Sequence, residues 1–375
     1  MCSIAASAYA FWSMSVCPPR IVLSRPKLDA PGLLALGARW RTLEAAADPS
    51  PFQTWTWIGC AAERFSDPLL IEAHDADGLL ALALWNRRRF WLAGDSLWLH
   101  ESGDPALDAV FTEHNDPLLV RRAPEGLLTE MLQMALRPRD GRAPRLVLSG
   151  VGATTRGAAL KAGAVALPGP DRPAPHVDFA RVPSGTTYIE QLSRNTRQQL
   201  RRSDRAYAAG GALRIERAGD AGQALAFLDA LIALHAATWA ARGKPGAFAT
   251  EPVRRFHRRL IQRGAPDEVE LLRITAGSRV VGYLYNLVRG GWACAYQSGF
   301  DYPGAGPHGK PGLTCHHLAI EMHRARGGTS YDFLGGADRY KRSLSNAERV
   351  LHWLSLAPRR HPAVLLAGAK RLLRR

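Results

Sequence analysis

The sequence predicts an α/β (α+β) protein in which one unit, a mixed and mostly antiparallel twisted sheet flanked by helices, occurs twice. Three observations predict it: the chain is too long for one core, the same order of elements recurs in both halves, and a proline-dense stretch lies between them. The 375 residues exceed the ~250–300 at which single cores stop growing. A hydrophobic share of 46% with 22% charged residues is that of a globular chain and excludes wholesale disorder.

Residues 1–19 carry no charge, and Cys2, Ser3, Ser7, Ser13 and Ser15 interrupt their apolar run. That pattern argues against a signal peptide or membrane span and reads as a flexible N-terminal extension. The first unit, 20–166, opens with helical stretches at 29–47 and 53–65. Turn signals then mark three strands: Leu69–His74, Leu79–Asn86 after Asp75-Ala76-Asp77-Gly78, and Phe90 to His100 after a basic turn at Arg87–Arg89. A helix near 123–136, a strand at Arg145–Val151 and a small helix at 154–162 complete it.

Residues 167–185, beginning Leu167-Pro168-Gly169-Pro170-Asp171-Arg172-Pro173-Ala174-Pro175, read as an interdomain linker. The second unit, 186–358, repeats the order with helices at 221–242 and 252–263 and strands at Val269–Thr275, Arg279–Val288 and Trp292–Phe300. A helix near 312–326, a strand at Ser330–Leu334 and a small helix near 337–345 follow. In the middle strand Val281, Tyr283, Tyr285 and Leu287 share one face. The offset between the units is roughly 200 residues. The chain closes with a basic amphipathic helix over 359–375, for which contact with a membrane face and simple solvation are both readings.

The formal charge of +16 comes mostly from arginine. It favours an anionic partner: a phosphate-bearing cofactor, nucleic acid or an acidic membrane face. Arginine spread over a solvated surface gives the same total. Cys2, Cys17, Cys60, Cys294 and Cys315 form no CxxC pair, so neither a zinc site nor a disulfide framework is indicated. The adjacent His316 and His317 point to different helix faces, which argues against a shared metal. A cytoplasmic, reducing setting fits.

Gly304-Ala305-Gly306-Pro307-His308-Gly309-Lys310-Pro311-Gly312 stands between a strand and a helix in the second unit only. Glycines admit a close ligand and a helix start favours an anion, so His308, Gly309, Lys310, Gly312 and Leu313 are candidates for a pyrophosphate cradle; a helix-capping surface loop is the alternative. The first unit has Asn115-Asp116-Pro117-Leu118-Leu119-Val120 there, which predicts one working site. The strand entering Gly335-Gly336 carries Asp332 ahead of Tyr340 and Lys341. Tyr340 could protonate a leaving thiolate. Lys341 could hold a phosphate or lower that tyrosine's pKa, and Asp332 could act as a base or anchor a substrate amine. Packing or an ion pair would explain Tyr340 and Asp332 equally. Arg194, Arg197, Arg201 and Arg205 line one helical face, either as an anion groove or as a solvated stripe. His235, Trp239 and Arg242 close another helix, as an acceptor pocket or as core. No helix-turn-helix or zinc-finger signature supports nucleic acid.

These residues carry a resemblance. Leu192-Ser193-Arg194-Asn195 with Arg197 and Arg201-Arg202, Leu234-His235 to Trp239 with Arg242-Gly243-Lys244-Pro245-Gly246-Ala247-Phe248, and Tyr296-Gln297-Ser298-Gly299-Phe300-Asp301 form its first part. Lys310-Pro311-Gly312 and Tyr331-Asp332-Phe333-Leu334 through Gly336 to Tyr340-Lys341 form its second. Trp40-Arg41-Thr42-Leu43, Pro51-Phe52-Gln53-Thr54 and His100-Glu101-Ser102-Gly103-Asp104 extend it to the first unit. Over 37–356 the chain resembles the CelD/BcsL-type acetyltransferases, the GNAT branch linked to cellulose and exopolysaccharide synthesis, and more distantly the FemAB transferases.

The resemblance implies tandem GNAT-like (acyl-CoA N-acyltransferase) domains, the first degenerate. It also implies acetyl-CoA or a longer acyl-CoA as co-substrate without a metal, and acyl transfer to an amine or hydroxyl on a small-molecule, glycan or envelope-precursor acceptor. It places Tyr340 and Asp332 at the chemistry and the 308–313 loop with Lys341 on the cofactor. His235, Trp239, Arg242, Tyr296, Gln297, Arg194 and Arg197 fall on the substrate, and the strand at Trp292–Ser298 polarises the thioester. Pro307-His308-Gly309-Lys310-Pro311-Gly312 departs from the usual R/Q-x-x-G-x-G/A pyrophosphate pattern. Transient contact with a polysaccharide synthase or membrane face belongs to the same expectation. Its rivals are aminoacyl transfer from charged tRNA and a non-catalytic scaffold of polysaccharide assembly.

Overall fold

The computed structural model describes residues 18–90 and 94–372, so nearly all of the extension read over 1–19 lies outside the described residues. The first repeat runs β1 (Arg20–Ser24), α1 (Ala30–Ala45), α2 (Trp55–Ala62), β2 (Pro68–Asp75), β3 (Gly78–Phe90), β4 (Gly94–Leu99), the short β5 (Leu118–Leu119), α3 (Leu127–Leu136), β6 (Arg145–Val151), α4 (Ala153–Lys161) and β7 (Val165–Asp178). A linking helix follows, α5 (Arg194–Ala208). The second repeat is β8 (Leu213–Arg217), α6 (Ala221–Ala240), α7 (Glu251–Gly264), β9 (Val269–Ala276), β10 (Arg279–Arg289), β11 (Trp292–Phe300), α8 (Pro311–Ala325), β12 (Ser330–Asp332), α9 (Arg339–Leu344) and β13 (Ala347–Ala357), and α10 (Pro362–Leu372) ends it. Apart from β5 the two orders are identical.

Local chemistry starts the helices. The Asp29 side chain accepts Gly32 N at 2.9 Å with Pro31 in the first turn of α1. Ser193 Oγ accepts Thr196 N at 3.2 Å ahead of α5, and Asp220 Oδ1 accepts Gln223 N at 2.8 Å ahead of α6. Each cap fills an amide the helix leaves unpaired and contributes ~1 kcal/mol.

The strands form one sheet in the order β1-β2-β3-β4-β6-β13-β7-β12-β11-β10-β9-β8, with β5 on β3. In each repeat the fourth strand meets the fifth in parallel over three residue pairs: Ser96–Trp98 with Arg145–Val147, and Trp292–Cys294 with Ser330–Asp332. The last strands are exchanged. β7, from the first repeat, pairs with β12, and β13, from the second, pairs with β6; the two pair with each other in the middle. The core is shared accordingly. The Trp57 ring packs 5.1 Å from Phe256 and 5.7 Å from Tyr296, and Phe52 lies 6.1 Å from Tyr296.

Two expectations are corrected here. Within the supposed linker 167–185, residues up to Asp178 belong to β7 at the centre of the sheet. Proline is tolerated because the stretch up to Pro175 has a ladder with β13 on one side only, β12 joining on the other at His176–Asp178. Pro173 and Pro175 face the other way, where their carbonyls accept Gly336 N at 2.9 Å and Phe333 N at 3.0 Å, so no ladder amide is missing. The division into 20–166 and 186–358 therefore follows the repeats but not two separate sheets. The basic turn read at Arg87–Arg89 is part of β3. Arg87 is buried there because its Nε donates to Asp95 Oδ2 at 3.0 Å and its Nη1 to Asp140 Oδ2 at 2.9 Å, which offsets the cost of burying the charge.

Candidate active site

Beyond Cys294 and Asp332 the parallel pair splits. β11 continues along β10, whereas Phe333–Gly336 turns away and hydrogen-bonds to β7. The resulting cleft has a volume of about 760 Å³. Its walls are Ala295–Ser298 and Phe300 of β11, Phe333–Gly335 after β12, the end of α6, the start of α8 and residues of α9. A register shift between β10 and β11 pairs Tyr285 with Gln297 and Asn286 with Ala295, leaving Tyr296 as the extra residue of a bulge. Bulges re-aim side chains and free backbone groups beside sites.

Most of the predicted cofactor residues meet at one end. Gly309, Lys310, Pro311, Gly312 and Leu313 line the cleft. Lys310 is the N-cap of α8 and has no side-chain cap of its own. The Gly312 and Leu313 amides therefore stand at an open helix start, the electrostatic setting for an anion. Gly309 is required sterically, since a Cβ there would sit 2.0 Å from the Ala305 carbonyl oxygen. Ser203 of α5 braces the loop by accepting Lys310 N at 2.8 Å. His308 is exposed and does not line the cleft, because the turn that delivers Gly309 points it outward.

Trp239 and Arg242 line the mouth, with the Arg242 guanidinium 5.5 Å and Lys244 Nζ 5.8 Å from the Trp239 ring. His235 also lines the cleft, but both its nitrogens are engaged: Nδ1 lies 3.0 Å from the Ser298 carbonyl and Nε2 accepts Ala247 N at 3.0 Å. Burial lowers its pKa. It is a neutral strut between α6, β11 and the 244–248 loop. Tyr296 and Gln297 are cleft residues, and the Tyr296 hydroxyl donates to the Val110 carbonyl of the first repeat.

Tyr340 forms part of the far wall, its ring stacked 5.9 Å from His316 and edge-on to Phe333 at 6.2 Å. Atoms crowding its hydroxyl raise its pKa, and Asp338 and Tyr302 push the same way. Lys341 is not among its perturbants, so the expectation that Lys341 lowers that pKa fails. The Lys341 ammonium instead donates to the carbonyls of Gly335 at 3.0 Å and Leu334 at 3.4 Å, and burial lowers its own pKa.

Asp332 is fully buried and does not reach the cleft. Its Oδ2 lies 3.0 Å from Arg349 Nη1 and 3.3 Å from His114 Nε2, while Oδ1 accepts Leu334 N at 2.7 Å. Burial alone would raise its pKa, but His114, the amide and Arg349 hold it below the usual range. It is a structural carboxylate rather than a base. Arg194 and Arg197 lie outside the cleft lining because α5 turns Thr196, Leu200, Ser203 and Tyr207 inward and its arginines out; Arg197 Nη1 donates to the Glu190 carbonyl at 2.9 Å.

The sequence reading missed Phe111, Glu113 and Arg172, first-repeat residues that line this cleft, and the buried His316. Glu113 is buried, and its Oε2 accepts Gly335 N at 2.6 Å. The matching gap in the first repeat is closed: Asn115 bridges it, its N–H donating to Gly150 O at 3.1 Å and its Nδ2 to Leu99 O at 2.9 Å. The lack of a glycine run at 115–120 was the signal for that closure. No group of three or more His, Cys, Asp or Glu suited to a metal occurs among the described residues.

Residues 194–342 match a family model described as an acetyltransferase (GNAT) domain. The matched stretch runs from the start of α5 into α9. FemX resembles the whole chain at TM-score 0.59 and 9% identity, covering 88% of this chain and 98% of that one. A C-terminal DUF2156 domain from Agrobacterium fabrum does so at TM-score 0.53 and 11% identity, covering 90% and 96%. A conserved protein of unknown function from Bacteroides thetaiotaomicron gives 0.54 and 9%, covering 90% and 100%. At such identities the likeness is one of fold. No curated protein matches the chain by sequence. The split between β11 and β12 lies inside the residues that the family model matches.

Proposed function

We propose that the chain moves an acetyl or longer acyl group from acyl-CoA to an amine or hydroxyl of a sugar or cell-envelope precursor, in the cleft between β11 and β12. The observation that carries this reading is the split itself. It opens β11 backbone groups after Cys294 to a bound thioester, and at its end lies the uncapped start of α8 with Lys310 beside it. The α8 amides and Lys310 would take the pyrophosphate. The β11 backbone would polarise the thioester carbonyl, with His235 holding the Ser298 carbonyl in place. Tyr340, kept protonated by its raised pKa, would hydrogen-bond the departing sulfur. Holding donor and acceptor together supplies much of the rate.

Isothermal calorimetry with CoA and acetyl-CoA tests this reading. The expected result is binding by the wild type and, for Lys310→Glu, a loss of about tenfold or more, the equivalent of ~1.4 kcal/mol. An absence of binding to either compound overturns it. Aminoacyl transfer from charged tRNA is the second reading. It is favoured by the exposed Arg194, Arg201, Arg202 and Arg205 of α5, beside the Lys310 loop, for which no carboxylate partner occurs among the described residues. Turnover with aminoacyl-tRNA and indifference to acetyl-CoA would establish it instead.

A further inference from the structure

We infer that Glu113, carried by the closed first repeat, is the general base of the open second one, taking a proton from the acceptor amine. This rests on the acyl-transfer reading of the cleft. Glu113 and Asp338 are the two carboxylates that line it, and Asp338 is exposed whereas Glu113 is buried. Oε2 is fixed by the Gly335 amide, and Oε1 has no hydrogen-bond partner among the described residues. Oε1 lies where a Cβ on Gly335 would come within 2.9 Å of it, against the strand end that forms one wall.

The other groups with a lone pair are poorly suited. Both His235 nitrogens are engaged. His316 is held neutral with a pKa lowered to about 3 by burial and Lys341, which makes it a feeble base near neutrality. Tyr340 keeps its proton. Burial pushes the Glu113 carboxyl upward, against the Gly335 amide, His114 and Lys341, towards the range in which a carboxylate exchanges protons usefully.

The loop that carries Glu113 is braced by hydrogen bonds to its neighbours. Ser50 Oγ donates to His114 O at 2.9 Å, Gln53 Nε2 to Asp116 O at 2.9 Å and to Pro117 O at 3.0 Å, and Asp116 accepts Gly152 N at 3.0 Å. Phe111 and His114, on either side, have φ of 51° and 47°, and Leu334 across the contact has 62°. Left-handed backbone at non-glycine residues costs of order 1–3 kcal/mol each and gathers at working sites. The loop that plugs the first repeat thus aims its one cleft-lining carboxylate at the second.

In the step itself Glu113 takes one proton from the acceptor ammonium. The freed nitrogen lone pair forms the N–C bond at the thioester carbonyl, the C–S bond breaks, and the sulfur leaves with the second amine proton as CoA thiol. Glu113 then returns its proton to water. The products are the amide and free CoA.

The test compares wild type and Glu113→Gln in the full chain, following CoA thiol release from acetyl-CoA with glucosamine and ethanolamine as acceptors, with acetyl-CoA binding measured in parallel. The expected outcome is a kcat lower by ~10²–10³-fold at an acetyl-CoA Kd changed less than about twofold. The acid limb of the wild-type kcat/KM profile disappears in Glu113→Gln, and Glu113→Asp regains it at a lower rate. A Glu113→Ala variant partly rescued by added formate supports the same role if the Gln variant folds poorly. Unchanged turnover and acid limb in Glu113→Gln, with wild type active, overturn the role of Glu113 alone. A wild type that neither binds acetyl-CoA nor releases thiol with either amine overturns the role and the acyl-CoA reading together.

Discussion

At the residue scale, lining a cleft and acting in it separate cleanly. His235 is the clearest case, since a neutral imidazole that donates to Ser298 and accepts from Ala247 has nothing left to give a substrate. His235→Ala should cost about 1–2 kcal/mol through two lost hydrogen bonds with half-buried partners. A lower urea midpoint, with acetyl-CoA still bound by the refolded protein, would bear this out; unchanged stability with abolished turnover would contradict it. Lys310, Gly312 and Tyr340 were legible in the sequence because their signal is local: a strand, glycines and a helix start within a few residues. Glu113 was not, because it meets Gly335 across 222 residues. It also stands in the polar run Thr112–Asn115, all buried, and burial of such a run is a property of the fold. Asp332 sits at a strand end, where sequence reading expects chemistry, yet Arg349 and His114 enclose it.

At the element scale, the three-strand meanders and the helices around them were readable from turn residues and alternation. The closing strands were not. β7 was hidden by its prolines, which composition assigns to linkers, because the sequence does not show that one of its sides lacks a ladder. β13 was hidden because it follows a short helix and pairs only with strands far away in the chain, at Asp171–His176 and Leu146–Val151 among others. The difference can be measured. Limited proteolysis of a true linker would cut within 165–178 first. As a central strand this stretch should resist until global unfolding, and early cuts there would argue against the exchanged sheet.

For the whole molecule, one sheet and a shared core make the two repeats a single cooperative body, and its buried histidines tie that body to pH. Burial lowers the pKa of His100 to about 4 and of His257 and His316 to about 3. The unfolded chain, with imidazoles near 6.5, takes up protons that the folded one refuses. Unfolding free energy should therefore fall as pH drops from about 6.5 towards 4. Burial pushes Glu101 up to about 8 and raises Glu113 and Asp116, which oppose the fall, so its size is what the three rings contribute less what these carboxyls take back. Urea midpoints between pH 7.5 and 5 measure it, and a flat profile would contradict it. The exchanged strands also bear on synthesis. While the ribosome is still making residues 179–346, β6 has an open edge and nothing to cover it, because its neighbour β13 does not yet exist. The nascent first half thus cannot finish its architecture ahead of the second, and closure must wait until residues 347–357 have left the exit tunnel.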